Sequence, residues 1–516
     1  MRLWPLVEWR AAQTPDEEML VDERGRRVSF AQFRDRAVGV AAGLAERGVV
    51  ADTPVTWQLP TTVETLVLTA ALARLGAVQN PVMPSYGSRD LEFVVRQTGA
   101  RLLVVVPEWS GRDLRSPAEE VAAGIPGLDL LVVDGDLPES DEAPPVSDPA
   151  DDPVRWIFYT SGTTSAPKGT RHTDASVLAS SRCLGDRLAC TADDRVGMVF
   201  PVAHIGGCGT WLGVSLLYGL TLILDSVFDA ERTAQLQQRE RVTLAGSGTV
   251  FTQIYLELQR KHPAEPLFPN VRALTAGAAP KPPDLHAAVK RELGGVGVLS
   301  GYGLTEAPIL AMGAPDDPDD ALATAEGRVS DGVDMRVVDP DGALLGPGRT
   351  GELRVKGPQV MRGYVDASLD DAAFDDDGYL RTGDLGRLDE HGNLTITGRL
   401  KDVIIRKGET LSARAIEDEL LAHPQIADVA VIGLPHAELG ELACAVVVPA
   451  GVTPSLDQLL AFLDERGFPR RLWPERLEIL DGLPRNSTGK LLKDDLRQRY
   501  VAQSPEGQRS PGARVP

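Results

Sequence analysis

Short apolar runs alternate with amphipathic helical patterns through the first half of this chain, and this alternation limits the folds that it can adopt. Helices are predicted at 30–48 and 62–75, each bounded by a glycine, and apolar strands at 54–59, 102–106 and 130–133. Strands that alternate with helices form parallel sheets with helices on both faces. The sequence therefore predicts an α/β fold with two packed α/β layers.

The sequence pattern changes near residue 325. Short strands at 333–338, 351–355 and 394–396 are separated by turns rich in Asp and Gly, which is typical of a small antiparallel barrel or sheet. After Gly398 the pattern reads strand, helix, two strands and helix, which indicates a compact α+β unit.

These patterns predict two domains. Residues 1–400 form a large N-terminal domain of two α/β layers plus a small β-barrel, and residues 401–516 form a mobile C-terminal α+β lid. The length of 516 residues is itself too large for one ordinary core. The last segment, from Ala502, is rich in Ser, Pro and Gly and is expected to be disordered.

The overall charge argues against two classes of partner. The formal net charge is −21, whereas nucleic acids and anionic membranes both require a basic surface. The apolar segment 209–224 is too short to span a bilayer and is interpreted as a helix, a turn and the strand 221–224. The four cysteines lack metal-binding spacing and no signal peptide is recognised, so free thiols in a reducing cytoplasm are expected.

Residues 159–169, YTSGTTSAPKG, carry the strongest chemical signal. They begin at the end of the apolar strand 156–159, and the part from Thr160 to Lys168 places five hydroxyl side chains, a glycine and the lysine in one loop. Backbone N–H groups and hydroxyls can wrap a polyphosphate, and the lysine adds a point charge. The GxxxxGK(S/T) pattern is absent, so this is not a Walker A loop. For such a string in isolation, a solvated Ser/Thr turn is the competing interpretation.

Five further motifs follow this loop. They are 277–279 (GAA), 301–306 (GYGLTE), 379–384 (YLRTGD), 398–402 (GRLKD) and 484–490 (PRNSTGK). Together with the loop they resemble the motifs of the superfamily that contains acyl-CoA synthetases, peptide-synthetase adenylation domains and luciferases. The resemblance covers the chain from about Ser29 to Leu496.

The resemblance implies an AMP-forming acid–thiol ligase. In this reaction ATP and a carboxylic acid give an acyl-AMP and pyrophosphate, and the acyl group then passes to coenzyme A. The implied cofactors are ATP, Mg²⁺ and coenzyme A. The family places the nucleotide on these residues: Thr160, Ser161, Gly162, Thr163, Thr164, Lys168, Gly277, Ala278, Ala279, Gly301, Tyr302, Gly303, Thr305, Asp384, Arg399 and Lys490.

Several of these residues have a chemical reason for their implied roles. Tyr302 stands between two glycines, so a planar base can approach its ring and stack. The resemblance places Thr305 on the α-phosphate and Glu306 on Mg²⁺, which needs few protein ligands when phosphates supply the rest. Asp384 can accept hydrogen bonds from the ribose hydroxyls, and Arg399 can donate to them. Alone, the Thr-Glu pair would indicate a helix cap, and the Asp and Arg a surface ion pair.

The resemblance makes Lys490, Lys168 and His204 catalytic. The family's C-terminal lysine, here Lys490, bridges the attacking carboxylate and the α-phosphate, where a fixed ammonium offsets their repulsion and the charge that builds at phosphorus. Alone, it would be a surface lysine. Lys401 is implied to be the hinge between two lid orientations. Coenzyme A is assigned to Lys407, Gly408 and Glu409, and Lys407 replaces one of two glycines that are common in the family.

The predicted acid is bulky and mostly apolar, that is, alicyclic, polycyclic or aromatic. No acidic residue stands in 201–207 and no tryptophan in 301–306, where relatives for amino acids and acetate have them. Glycines have no side chain to fill a pocket, so a wide acyl cavity is expected. His204 is interpreted either as a gate between the acyl and pantetheine channels or as a core histidine. Segments 80–84 and 92–97 resemble alicyclic-acid CoA ligases of the cyclohexanecarboxylate type. The residues assigned to the pocket are His204, Gly206, Gly207, Gly246, Gly248, Gly277, Gly303 and Leu304.

Two alternatives stay open. An acyl-AMP ligase could load the phosphopantetheine of a carrier protein instead of free coenzyme A. The other is a degenerate nucleotide-binding regulator, against which the intact Lys168, Glu306, Asp384, Arg399 and Lys490 argue. The identity of the acid, the thiol acceptor and the oligomeric state, for which a homodimer is one option, stay open at this point.

Overall fold

The structure is a computed structural model that describes residues 1–142, 144–147, 149, 151–160, 167–279, 281–282, 284–407, 409–436, 438–485 and 491–501. The chain divides into two compact units. The larger unit contains the described chain up to Met335 together with Val355–Leu380, and the smaller contains Arg336–Arg354 and the chain from Arg381 on. The predicted disordered segment from Ala502 lies outside the described residues.

Helices and strands alternate through the larger unit, as the sequence predicts. Its helices are α1 (Leu3–Gln13), α2 (Phe30–Glu46), α3 (Val63–Leu75), α4 (Ser88–Thr98), α5 (Arg115–Ala123), α6 (Asp174–Arg187), α7 (Leu212–Tyr218), α8 (Ala230–Arg239), α9 (Thr249–Lys261), α10 (Leu285–Glu292), α11 (Asp319–Thr324) and α12 (Asp370–Ala373). Its strands are β1 (Glu18–Val21), β2 (Arg27–Ser29), β3 (Pro54–Gln58), β4 (Val78–Pro81), β5 (Leu102–Val105), β6 (Glu108–Trp109), β7 (Arg112–Asp113), β8 (Asp129–Val132), β9 (Val154–Thr160), β10 (Lys168–Thr173), β11 (Arg195–Met198), β12 (Thr221–Leu224), β13 (Leu244–Ala245), β14 (Ala273–Ala276), β15 (Val298–Leu304), β16 (Ala307–Met312) and β17 (Arg328–Val329).

Two large sheets run through this unit. One has nine strands in the order β17-β16-β15-β14-β13-β11-β12-β1-β2, and the neighbours from β15 to β1 are parallel. The other has six strands in the order β10-β9-β4-β3-β5-β8, and only β10 is antiparallel to its neighbour. The predicted α/β fold with parallel sheets is therefore confirmed.

Helix ends in the first layer follow their capping residues. Ser29 and Gln32 form a capping box at the start of α2, and Thr62 caps α3. The same helix ends at Gly76, whose left-handed conformation (φ 71°) suits a residue without a Cβ atom. Because these signals are local, α2 and α3 match their predicted bounds to within two residues.

The core of the larger unit joins side chains from both sheets. Trp57 of β3, Trp156 of β9 and Leu222 of β12 are fully buried members of one continuous cluster. Helix α3 contributes almost all of its residues to this cluster, so it has no broad polar face. The apolar strand and helix patterns from which the packed layers were predicted therefore supply this core.

The remaining elements belong mostly to the smaller unit. They are β18 (Asp334–Val338), β19 (Gly351–Lys356), β20 (Leu380–Leu388), β21 (Leu394–Arg399), β22 (Val403–Arg406), β23 (Glu409–Ser412), α13 (Ala413–Leu421), β24 (Ile426–His436), β25 (Gly440–Pro449), α14 (Leu456–Glu465), β26 (Arg476–Ile479) and α15 (Lys493–Val501). The sequence left a barrel or a sheet open for the first four strands, and they form a sheet in the order β18-β19-β20-β21.

A second sheet forms the compact α+β unit. Its strand order is β23-β22-β25-β24, with β26 parallel to β25. Helices α13 and α14 pack on one face and α15 on the other. Strand β24 pairs with β25 along its whole length, from Ile426 to His436, and includes Pro435. It is the last strand in this order, and an edge strand tolerates proline.

Segment 209–224 matches its predicted helix, turn and strand. A π-helix over Ile205–Trp211 leads into α7, Gly219 adopts a left-handed conformation and β12 follows. Across the described residues, no helix is long and apolar enough to cross a membrane. The four cysteines are free thiols.

Candidate nucleotide site

The predicted phosphate loop begins at the end of β9 and ends at the start of β10. Thr160 and Lys168 lie opposite each other in the antiparallel pair that these strands form. Ser161, Gly162, Thr163 and Thr164 lie outside the described residues. What the structure fixes at this motif is therefore the position of its two ends.

Lys168 and Glu306, the predicted metal ligand, both contact the same tyrosine, Tyr364. The Lys168 Nζ atom is 5.5 Å from the centroid of the Tyr364 ring, and the Tyr364 hydroxyl donates a hydrogen bond to Glu306 Oε1 at 2.9 Å. Burial, and secondarily the Glu306 carboxylate, raise the pKa of Tyr364, so the phenol stays protonated and can donate. The sequence brings the lysine and the glutamate together correctly but gives no motif signal for Tyr364.

Histidine 172 holds the residue that precedes Glu306. His172 Nε2 is 2.8 Å from the carbonyl oxygen of Thr305, and His172 Nδ1 is 3.1 Å from Ser176 Oγ. The ring is fully buried, and this burial lowers its pKa to about 4. Since a carbonyl only accepts, we assign the proton of the neutral ring to Nε2. Sequence reasoning missed His172, because β10 reads KGTRHT and no apolar pattern marks it as a buried strand.

The 301–306 motif lies on β15 and the turn into β16. Gly301 is paired with Met312 and Tyr302 with Ala311 across these two strands. A Cβ atom on Gly301 would lie 2.5 Å from Met312 Sδ. The glycine therefore permits close packing of β16, while Tyr302 itself remains partly exposed.

The other predicted adenine wall, 277–279, follows β14 and adjoins the first. A Cβ atom on Gly277 would lie 2.9 Å from the carbonyl oxygen of Gly301. The Thr249 hydroxyl donates to the carbonyl of Ala279 at 3.0 Å. Ala278 has a left-handed backbone (φ 62°), which costs roughly 1–2 kcal/mol for a residue with a Cβ atom. The structure thus brings the two predicted walls together and holds one of them in a strained conformation.

His204 is held by its own neighbours. Its Nδ1 atom accepts the backbone N–H of Gly206 at 3.0 Å, which leaves the ring proton on Nε2. The ring packs edge-on against Phe200 at a centroid distance of 4.6 Å. His204 precedes the π-helix, an element found frequently at functional sites.

Most of the glycines assigned to the acyl pocket are required by backbone packing. A Cβ atom would lie 2.5–2.9 Å from a backbone atom of another residue at four of them: Gly207, Gly246, Gly277 and Gly303. At Gly206 and Gly248 the nearest atoms belong to the side chains of His204 and Phe251, both at 3.3 Å. The inference from glycine content to a wide cavity therefore loses most of its support, because most of these glycines face backbone instead of open space. Leu304, also assigned to the pocket, ends β15 and is half-buried.

A cavity of about 440 Å³ lies elsewhere in the larger unit. It opens where β11 and β13 begin, whereas His204 and Gly246 follow the ends of these strands. Its lining is polar and consists of Arg27, Asp193, Arg195, Arg239, Glu240, Arg241, Thr243 and Asn270. This cavity is therefore not the predicted acyl pocket.

In the smaller unit the two predicted ribose residues are paired. Asp384 of β20 stands opposite Arg399 of β21, and Arg399 Nε is 2.8 Å from Asp384 Oδ1. The Asp384 side chain is only 3% exposed, so its carboxylate is held in a fixed position by a charge-assisted contact.

The predicted hinge and coenzyme A residues follow β21. Lys401 lies in a short 3₁₀ turn, and its Nζ atom is 3.3 Å from Asp494 Oδ2. Lys407 has a left-handed backbone (φ 50°), a conformation that glycine adopts without strain. Glu409 begins β23. Gly408 and Lys490 lie outside the described residues.

The donor set at Glu306 fits a magnesium ion that also binds phosphates. Among the residues the structure describes, no group of three or more His, Cys, Asp and Glu side chains could hold a metal. Glu306 itself is half-buried. Mg²⁺ is commonly bound by one or two carboxylates with substrate phosphates and water, so a single glutamate is sufficient.

Comparisons with known proteins agree with these motifs. Residues 7–365 match the family model described as AMP-binding enzyme, and residues 415–490 match AMP-binding enzyme C-terminal domain. Feruloyl-CoA synthase of an Amycolatopsis species is 32% identical and covers 96% of this chain and 98% of its own. Salicyl-AMP ligase / salicyl-S-ArCP synthetase of Mycobacterium tuberculosis is 31% identical, with 96% and 90% covered. The crystal structure of ATP-bound MatB from Rhodopseudomonas palustris aligns with a TM-score of 0.87 at 30% identity, covering 97% of this chain and 99% of MatB.

Proposed function

Because the chain belongs to the family of AMP-binding enzymes, we propose that its 301–306 motif and Lys168 form the site at which ATP meets a carboxylic acid. The chain is an AMP-forming acyl-CoA ligase: it converts a carboxylic acid and ATP into an acyl-AMP with release of pyrophosphate, and passes the acyl group to coenzyme A. Which residues perform these steps, and on which acid, are the matters proposed.

One observation carries the assignment of the ATP site. Lys168 and Glu306 come from distant parts of the sequence, yet both contact the ring or hydroxyl of Tyr364. A cation and a carboxylate that share one neighbour suit a polyphosphate and its counterion, respectively. Thr305, whose carbonyl is fixed by His172, is assigned to the α-phosphate.

Glu306 would hold Mg²⁺ at this site. When bound, the metal neutralises negative charge on the phosphates as pyrophosphate leaves. The chain's own residues position the reactants: Tyr302 stacks on the adenine, and Gly277, Ala278 and Ala279 form the facing wall. Asp384 accepts from the ribose hydroxyls, and Arg399 keeps that carboxylate in place.

Both half-reactions require the C-terminal part of the chain. We assign Lys490 to the bridge between the attacking carboxylate and the α-phosphate, with residues 1–400 as one functional domain and 401–516 as the other. Lys401 is the hinge at which the C-terminal lid would turn between its orientation for adenylation and its orientation for thioester formation. We assign Lys407, Gly408 and Glu409 to the binding of coenzyme A. The four free thiols favour a reducing, cytoplasmic location.

The acid is proposed to be bulky and mostly apolar. The support is the lack of an acidic residue in 201–207 and of a tryptophan in 301–306. A relative named for an aromatic acid, feruloyl-CoA synthase, is in keeping with this class. His204, with its Nε2–H and its edge-on contact to Phe200, would stand between the acid and the thiol.

A second thiol acceptor is also supported. The relative from Mycobacterium tuberculosis is named as a salicyl-S-ArCP synthetase, which is a name for loading a carrier protein. The test is to incubate the purified protein with ATP, Mg²⁺ and cyclohexanecarboxylate, and to measure products by mass spectrometry with free coenzyme A or with a phosphopantetheinylated carrier protein. We expect acyl-AMP alone, and acyl-CoA once coenzyme A is added. Thioester on the carrier protein only would replace coenzyme A as acceptor, and no acyl-AMP with any of a wider panel of acids would contradict the proposal.

A further inference from the structure

We infer that Tyr364 is a positioning residue for the metal-binding carboxylate, and that its hydroxyl sets the affinity of the nucleotide site for Mg²⁺. The inference rests on the proposed function, because Glu306 must be the metal ligand for it to hold. The contact that carries it is the 2.9 Å hydrogen bond from the Tyr364 hydroxyl to Glu306 Oε1.

In the hydrogen bond between Tyr364 and Glu306, the tyrosine is the donor, and the carboxylate stays able to bind a metal. An ionised carboxylate only accepts, so the phenol is the donor. A carboxylate offers about four acceptor positions, so Glu306 can keep the tyrosine bond and still ligate a cation. Tyr364 is 7% exposed, and water therefore competes little for its hydroxyl. Partners that hold a ligating carboxylate in this way restrict its rotation before the metal arrives.

The backbone around Tyr364 is itself tied to the site. The N–H of Met361 donates to the carbonyl oxygen of Glu306 at 2.8 Å, so the same segment holds both ends of the glutamate. The segment also pairs with β10, where the N–H of Val365 donates to Gly169 at 2.8 Å. The N–H of Tyr364 donates to Asp370 Oδ1 at 2.8 Å. These bonds leave the tyrosine little freedom to move away from the carboxylate.

Lys168 gives the ring a second role. Its Nζ atom lies 5.5 Å from the ring centroid, within the range of a cation–π contact. The tyrosine therefore contacts the phosphate-binding lysine with its ring and the metal-binding glutamate with its hydroxyl. Replacing Tyr364 by phenylalanine removes the second contact and keeps the first, which separates the two roles.

Tyr218 provides a matched control in the same unit. Its hydroxyl donates to a carboxylate, Asp186 Oδ1, at 2.5 Å. This pair joins α7 to α6, and neither residue belongs to any of the predicted motifs. Tyr218→Phe thus removes a phenol–carboxylate hydrogen bond from the unit without touching the nucleotide site.

The test measures metal-dependent nucleotide binding in the whole chain, without turnover. Isothermal titration calorimetry gives the affinity for a non-hydrolysable ATP analogue with Mg²⁺ and again in EDTA. We expect Tyr364→Phe to reduce the ratio of these affinities about tenfold or more, the range typical of partners of metal ligands. The affinity in EDTA should stay within about twofold of wild type, and Tyr218→Phe should leave both values unchanged.

A double-variant cycle then shows whether the tyrosine acts through Glu306. In the Glu306→Gln background, Tyr364→Phe should cause no further loss of the ratio, because the group that it positions is gone. An equal loss in both backgrounds, a loss in EDTA as large as that with Mg²⁺, or a variant that does not fold would assign Tyr364 a structural role and overturn the inference.

The remaining outcomes separate this inference from the proposed function. A wild-type protein that binds the analogue more tightly with Mg²⁺, together with an unchanged Tyr364→Phe variant, overturns only the role of Tyr364. A wild-type protein whose nucleotide affinity is the same with Mg²⁺ and in EDTA overturns the metal assignment and this inference together.

Discussion

Glu306 and His204 both lie beyond the ends of strands in the nine-stranded sheet, but they are held in different ways. Glu306 is bound by Tyr364 and Met361, which are more than fifty residues away in the sequence. His204 is bound by Gly206, two residues further on. Long-range bonds fix a side chain to the tertiary structure, whereas local bonds fix it only to its own loop. The Glu306 side chain is therefore bound directly by a distant segment, whereas His204 is bound by a neighbour in a loop that is itself tied to Thr61, through the N–H of Val202 at 3.1 Å.

The glycines do not divide in this way. Gly301 and Gly277 adjoin each other through backbone packing and belong to the two predicted adenine walls, but Gly207 and Gly246 of the predicted acyl pocket also face backbone. Gly248 faces the ring of Phe251 instead, at a distance a small side-chain shift could accommodate. We expect changes on the nucleotide side to weaken the activation of every acid, and changes on the acyl side to alter which acid is used.

The largest effect is expected at Lys490. Lys490→Ala should lower carboxylate-dependent pyrophosphate exchange by about 10³-fold, because it removes about 4 kcal/mol of transition-state stabilisation. Thioester formation from supplied acyl-AMP should be largely retained, since this lysine acts in only one of the two half-reactions. Lys261→Ala, at an exposed position in α9, is the control. Unchanged exchange in Lys490→Ala would remove the residue from the mechanism.

The next effect concerns the anchor of Thr305. His172 has a folded-state pKa of about 4, below the ordinary value of 6.5, so the unfolded chain binds its proton first as the pH falls. The stability that this neutral histidine contributes is therefore present above pH 6.5 and is lost as the pH falls towards 4, by about 3 kcal/mol.

Urea unfolding at pH 7 and at pH 4.5 tests this contribution. His172→Gln should be less stable than wild type at pH 7, because it loses the bond to Thr305, but its stability should fall less between the two pH values. An equal fall in both proteins would show that His172 is not the group that titrates.

The acyl side is tested by a comparison of acids. Each buried CH₂ contributes about 0.8 kcal/mol, so four or five extra ring carbons should favour a ring acid over acetate by roughly two orders of magnitude in kcat/KM. Acetate, hexanoate, cyclohexanecarboxylate, benzoate, a polycyclic acid and phenylalanine should be compared in one assay. A preference for acetate or phenylalanine would show that this interpretation of the pocket is wrong.

The smallest effect is expected for the metal. Glu306→Gln keeps the shape of the side chain but loses its charge, and should raise the Mg²⁺ concentration for half-maximal activity by about tenfold. The order of preference among acids should be unchanged, which distinguishes the nucleotide side from the acyl side. Glu390→Gln, at an exposed turn of the smaller unit, is the control. An unmoved Mg²⁺ titration in Glu306→Gln would place the metal elsewhere.

The accuracy of the sequence prediction follows from how local each signal is. Caps at Ser29, Thr62 and Gly76 act within one turn, so helix bounds were predictable. Asp384 and Arg399 were each assigned to the ribose from a motif, and the structure pairs them across β20 and β21.

What the sequence could not provide are contacts between distant segments. Tyr364 reaches Glu306, and His172 reaches Thr305, only once the chain has folded. The glycines assigned to the acyl pocket were misinterpreted as cavity-lining residues for a related reason. Whether a glycine faces a cavity or another backbone, as Gly207 and Gly246 do, depends on the tertiary structure and not on the residue type.

The central claim is that this chain activates a carboxylic acid with ATP, and isotope exchange between ATP and labelled pyrophosphate measures that step directly. In the absence of coenzyme A, we expect exchange that requires a carboxylic acid and Mg²⁺ and that is strongest with a ring-containing acid. Exchange that does not depend on any carboxylic acid, or none across the whole panel, would contradict the account.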